Sequence, residues 1–120
     1  MTRHLTFDCV LELGLELAGV EQGSYYGAPA LKLNGQMLAC TPVNKSAEIN
    51  SAAVAIGFEQ RTELLAKHSL LYYVTEHYAP HPVMLVRLSR ISRAELRKTL
   101  RLSWEFVGSG KTKSLRKGPK

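Results

Sequence analysis

The sequence predicts an α+β domain, an antiparallel sheet with helices packed on one face. Three observations carry that expectation: apolar residues at helical spacing near both ends of the chain, β-branched or alternating runs between them, and turn dipeptides short enough to make neighbouring strands antiparallel. A chain of 120 residues with 45% hydrophobic content suits one domain with its own core.

Phe7, Val10, Leu11, Gly14, Leu17 and Ala18 fall on one side of a helix from Phe7 to Ala18, with Asp8, Glu12 and Glu16 on the other. Thr6 is its expected N-cap and Gly19 its expected stop. Between Leu31 and Leu38, Asn34-Gly35 separates two apolar-rich runs and accepts the positive φ that a type I′ turn needs at both central positions, so a β-hairpin is expected. Ala52 to Phe58 alternates as a strand, with Val54, Ile56 and Phe58 on one side, and Glu59 to His68 follows as a short helix with Leu64 and Leu65 inward. Leu71 to Thr75 and Val83 to Ser89 are strands joined through the turn-like His77 to Pro82, hence adjacent and antiparallel. Ser92 with Glu95 forms a capping box opening a helix to about Val107, with Leu96, Leu100, Trp104 and Val107 as its buried stripe and Gly108 as its end. No repeat or second domain is found. Residues 1–108 form the expected domain and 109–120 a tail.

The charge is uneven. Residues 1–80 carry 5 basic and 8 acidic side chains, residues 81–120 carry 11 and 2. The last ten residues hold five Lys/Arg and no acid, and without them the chain has 11 basic against 10 acidic. With Gly110, Gly118, Pro119 and an isolated Leu115, this segment reads as a disordered basic tail. Two roles stay open for it: a solvated solubility tail, or an arm that gains affinity from phosphate charge.

No apolar run approaches the ~18 residues of a membrane-spanning helix. Asp8, Glu12 and Glu16 interrupt the N-terminal apolar stretch where a secretory leader is uncharged. Cys9 and Cys40 are too few for a disulfide framework and sit among apolar residues, so they are expected as small buried hydrophobes in a reducing cytoplasm.

One ordered set of segments spans about residues 7 to 107: Ser24 to Gly35, Phe58-Glu59-Gln60-Arg61, Thr75-Glu76-His77-Tyr78, Val83 to Leu88, Ala94-Glu95-Leu96 and Ser103-Trp104. Together they resemble the MmcQ/YjbR-like family of small bacterial proteins. The resemblance implies an α+β fold of the frataxin/CyaY type and DNA binding with a double-wing arrangement. It brings no catalytic residues. The family usually has Lys directly after the hairpin glycine, where this chain has Gln36.

The strongest chemical feature is Arg87, Arg90, Arg93, Arg97, Lys98 and Arg101, six cations against the single acid Glu95 within fifteen residues. Arg93, Arg97 and Arg101 share a helix face, where repulsion costs roughly a few tenths of a kcal/mol per i, i+4 pair. Either the stripe is a solvated face partly neutralised by Glu95 and Glu105, or its planar guanidinium forks hold phosphates. A second surface is the open sheet face, where Lys32 and Arg87 project with one or more of Tyr25, Tyr72 and Tyr73, either exposed for base stacking or half-buried in the sheet.

Other patterns carry less. His77 and His81 have metal-ligand spacing only on a helix, which Pro80 and Pro82 forbid. Asp8, Glu12 and Glu16 form a ridge that reads as a solvated helix face or as frataxin-like hard-cation ligands. Gly108 to Thr112 ends in Gly-Lys-Thr, but Glu105 stands where a phosphate loop needs glycine. No catalytic constellation or cofactor motif occurs. The expectation is a cytoplasmic DNA-binding protein that contacts phosphates through Lys32, Arg87, Arg90, Arg93, Arg97, Lys98 and Arg101, and through Lys111, Lys113, Arg116 and Lys117 of the tail. The alternative is a non-catalytic module that binds an acidic protein partner, and a third is frataxin-like metal binding.

Overall fold

A computed structural model describes residues 5–109. Its elements run α1 (Phe7–Gly14), β1 (Val20–Tyr25), β2 (Ala28–Leu33), β3 (Gln36–Cys40), β4 (Ser51–Ala55), α2 (Phe58–Lys67), β5 (Tyr72–Tyr73), β6 (Val83–Arg87) and α3 (Arg93–Gly108). The six strands pair antiparallel throughout, in the order β1-β2-β3-β4-β6-β5. The class is the expected α+β.

Two tight turns build the first half of the sheet. Asn34 and Gly35 take φ values of 55° and 79° between β2 and β3, the positive pair required by a type I′ turn. Tyr26 and Gly27 repeat it at 52° and 80° between β1 and β2. β1 has no strand signature in sequence because only Val20 of its six residues is buried.

The main core lies between one face of the sheet and the helices. Val10 and Leu13 of α1 and Leu96, Leu100, Phe106 and Val107 of α3 pack on Leu31, Leu33, Leu38, Val54, Met84 and Val86. Gly14 brings α1 close to β2, since a Cβ there would overlap the Leu31 side chain. Small residues fill the second face, where Ala30, Cys40, Ala53 and Leu85 pack with Met37, Ala47, Tyr73, Tyr78 and Val83. Ala47 and Tyr78 come from the segments 41–50 and 74–82, so connections partly cover that side.

Several boundaries differ from expectation. α1 ends at Gly14 rather than Ala18, because Leu15 to Val20 tightens into i→i−3 bonds (Glu16 to Leu13, Leu17 to Gly14, Val20 to Leu17). Thr6 stands at the N-cap without a side-chain cap bond. Phe58 opens α2 instead of ending the β4 strand, and its ring lies 4.8 Å from the Arg61 guanidinium. In α3 the capping bond forms, Ser92 Oγ accepting from the Glu95 N–H at 3.1 Å. The buried stripe is Leu96, Thr99, Leu100, Ser103, Phe106 and Val107, while Trp104 is half-buried on the seam with α1 and donates from Nε1 to the Ala18 carbonyl at 2.8 Å. Among the described residues no helix is long and apolar enough to cross a membrane.

Candidate nucleic-acid interface

The arginine stripe of α3 does project from one helix face, and it does not stand alone there. Arg93 Nη1 lies 3.3 Å from Glu12, Arg97 Nη2 3.6 Å from Glu16, and Arg101 Nε 3.5 Å from Glu105. The first two pairs cross from α3 to α1 and the turn after it, and both advance in the same chain direction, so the two helices lie parallel. Glu12 and Glu16 are thus the counter-charges of Arg93 and Arg97. Arg101 also reaches over the Trp104 ring, at 5.8 Å. All six partners are 44 to 64% exposed in their side chains. Such pairs are weak and salt-screened, so an arginine here can exchange its carboxylate for a phosphate oxygen. At rest the surface is close to neutral.

Arg87 is built differently. Its Nε and Nη2 donate to the two carboxylate oxygens of Glu48, each at 3.0 Å, and Nη1 donates to the Ser69 carbonyl at 3.1 Å. Its guanidinium stacks 4.4 Å from the centre of the Tyr73 ring. The Tyr73 hydroxyl accepts from the Glu48 N–H and lies 2.6 Å from Ser51 Oγ. Arg87 therefore clamps the segment before β4 to the β5–β6 edge, with its fork occupied on both sides. The hydrogen bond from Arg87 holds the Glu48 carboxyl below its ordinary range. Arg90 and Lys98 are exposed and form no ion pair among the described residues.

Lys32 and Arg87 share the second face of the sheet, but β3 and β4 stand between their strands, about 14 Å across the sheet, and the register sets Arg87 roughly five residues further along. α3 covers the opposite face. The expected cations consequently form no single patch among the described residues. Lys111, Lys113, Arg116 and Lys117 lie outside those residues. Register also sorts the tyrosines. Tyr72 points into the core and donates to Glu95 at 2.9 Å, with Thr99 Oγ1 at 2.6 Å, and burial raises its pKa. Tyr73 is half-buried under Arg87, and Tyr25 lies at the exposed tip of the β1–β2 hairpin.

Two features carry no local sequence signal, and a third carries a weak one. Arg61 donates to the carbonyls of Ala79, His81 and Val83, which fixes the turn that holds His77 and His81. Glu48 as partner of Arg87 is legible only in three dimensions. Tyr26 at the hairpin tip is signalled in retrospect by the Tyr-Gly pair preceding an apolar run. Gln36, where the resembled family carries Lys, is buried with Oε1 lacking a partner among the described residues, so its amide faces inward. Among the described residues no group of three or more His, Cys, Asp or Glu could hold a metal ion. Cys9 and Cys40 are both free thiols, and burial pushes Cys40 up to about 11. No family model and no curated protein matches the chain.

Proposed function

We propose that the chain is a cytoplasmic DNA-binding protein of the MmcQ/YjbR-like type that engages phosphates without reading sequence. The observation that carries this reading is the partition of charge. Residues 5–109 hold ten Lys/Arg and ten Asp/Glu, so the whole formal surplus of +6 lies outside them, five of the cations in residues 111–120 directly after α3. A neutral folded body joined to a concentrated block of cations favours polyanions through counterion release. The antiparallel α+β class is consistent with the family resemblance. Arg90 and Lys98 add fixed positive charge near the start of α3 and on its exposed side, and the paired arginines supply more by exchange. Arg87 is left out of the interface, because its fork already holds Glu48 and the Ser69 carbonyl.

Fluorescence anisotropy of a labelled DNA duplex, titrated with the full chain between 50 and 200 mM salt, tests the proposal. Binding that weakens linearly in log–log form supports it. Absence of binding at ~50 mM salt, where phosphate contacts are strongest, overturns it, and tight binding to an acidic protein under the same conditions would replace it.

A further inference from the structure

Charge does not account for the tip of the β1–β2 hairpin. Tyr26 holds the first central position of a type I′ turn at φ 52°, a left-handed conformation that Asn or Gly takes readily and an aromatic residue rarely adopts. The residue is 81% exposed, so packing does not compensate the strain. The chain makes the same turn with Asn34-Gly35 one hairpin later, which shows that a tyrosine is not needed to close it. The Tyr26 ring stands edge-on to that of Tyr25, with centroids 4.7 Å apart, which fixes a broad aromatic surface at the outermost point of the sheet.

The strip leading to this tip is also specific. On the face that carries Tyr25, β1 presents Glu21, Gly23 and Tyr25 in turn, and β2 presents Lys32, Ala30 and Ala28 opposite them. The Lys32 stem leans towards the tip over Gly23, its Cδ and Cε 3.6 and 3.8 Å from where a Cβ at Gly23 would stand. A side chain at position 23 would crowd that path. Gly23 and Tyr25 are about 7 Å apart along the strand, which brings a cation and an aromatic pair within reach of one nucleotide.

We propose that the hairpin tip stacks an unpaired base on Tyr26, with Tyr25 bracing the ring and Lys32 meeting a flanking phosphate, so that single-stranded DNA is the preferred ligand. This deepens the phosphate-binding reading and rests on it. Stacking of this kind tolerates any base, because every base has a π-face.

The test compares two labelled strands of equal length, oligo-dT and an abasic sugar-phosphate strand, against the full chain and its Tyr26→Asn variant. The wild type is expected to bind oligo-dT more tightly than the abasic strand. Tyr26→Asn is expected to lose roughly five- to hundredfold on oligo-dT and nothing on the abasic strand. Its melting temperature should equal or exceed that of the wild type, since Asn suits positive φ, which separates lost binding from lost folding. Equal wild-type affinity for both strands, or an unchanged affinity of Tyr26→Asn for oligo-dT, overturns the stacking while leaving phosphate binding in place. Failure to bind either strand overturns both.

Discussion

Replacing Lys111, Lys113, Arg116 and Lys117 together by glutamine removes four of the six surplus charges and alters no residue among 5–109. If each engages one phosphate, the slope of log K against log salt on a duplex loses about 0.9 per cation, or about 3.6 in all. Between 50 and 200 mM salt that difference corresponds to roughly 150-fold in affinity. The comparison variant is Arg97→Gln with Arg101→Gln, which opens the pairs to Glu16 and Glu105 on α3. Those arginines already have carboxylates to balance, and each contacts DNA only by exchanging a partner, so the pair should shift the slope by about 1 or less. Anisotropy across four salt concentrations measures both. A four-glutamine variant that keeps the wild-type slope, beside an α3 double variant that loses it, would move the phosphate contacts to the helix.

Three further outcomes concern the scaffold. Gly14→Ala should destabilise the fold by about 1–3 kcal/mol in urea unfolding, because its Cβ meets Leu31 and outweighs the helical preference of alanine; a gain in stability would contradict the close approach of α1 to β2. Arg87→Lys keeps the charge and loses the fork to Glu48, so stability should fall by about 1–2 kcal/mol with DNA affinity unchanged; the reverse pattern would return Arg87 to the interface. The Glu48 carboxyl is depressed below its ordinary 4.5 by the Arg87 hydrogen bond, so its contribution is complete above about that pH and is lost as acidification passes the lowered value. Acid unfolding of Glu48→Gln should accordingly show a shallower loss of stability below pH 4.5 than the wild type.

What was legible in the sequence follows from how local its cause is. α3 could be read from Ser92, Glu95 and an apolar stripe, since a cap and a helical period lie within one element. The Asn34-Gly35 turn is equally local. β1 was silent because an exposed edge strand has no buried face to impose alternation. The helical period outruns α1 because Leu17 continues it while the backbone has already turned towards β1. The arginine stripe was visible as a run of residues, but its neutralisation depends on α1 packing beside α3, with Glu12 and Glu16 some eighty positions away in sequence. Of the acids within α3 itself, Glu105 pairs with Arg101, whereas Glu95 turns to Tyr72. Strand parity left the tyrosines undecided, and the pairing of Tyr72 with Val86 and Tyr73 with Leu85 settles them, one in the core and one beneath Arg87.

We propose that phosphate binding is carried by cations outside a charge-neutral domain rather than by the arginines that face α1. Backbone amide shifts of the isotope-labelled full chain, followed by NMR during titration with a short duplex at low salt, test it most directly. Residues 111–120 are expected to shift first and furthest, with Arg90 and Lys98 next and the amides around Glu12, Glu16, Arg93 and Arg97 moving little. Large shifts along that seam with a silent C-terminal segment would contradict it.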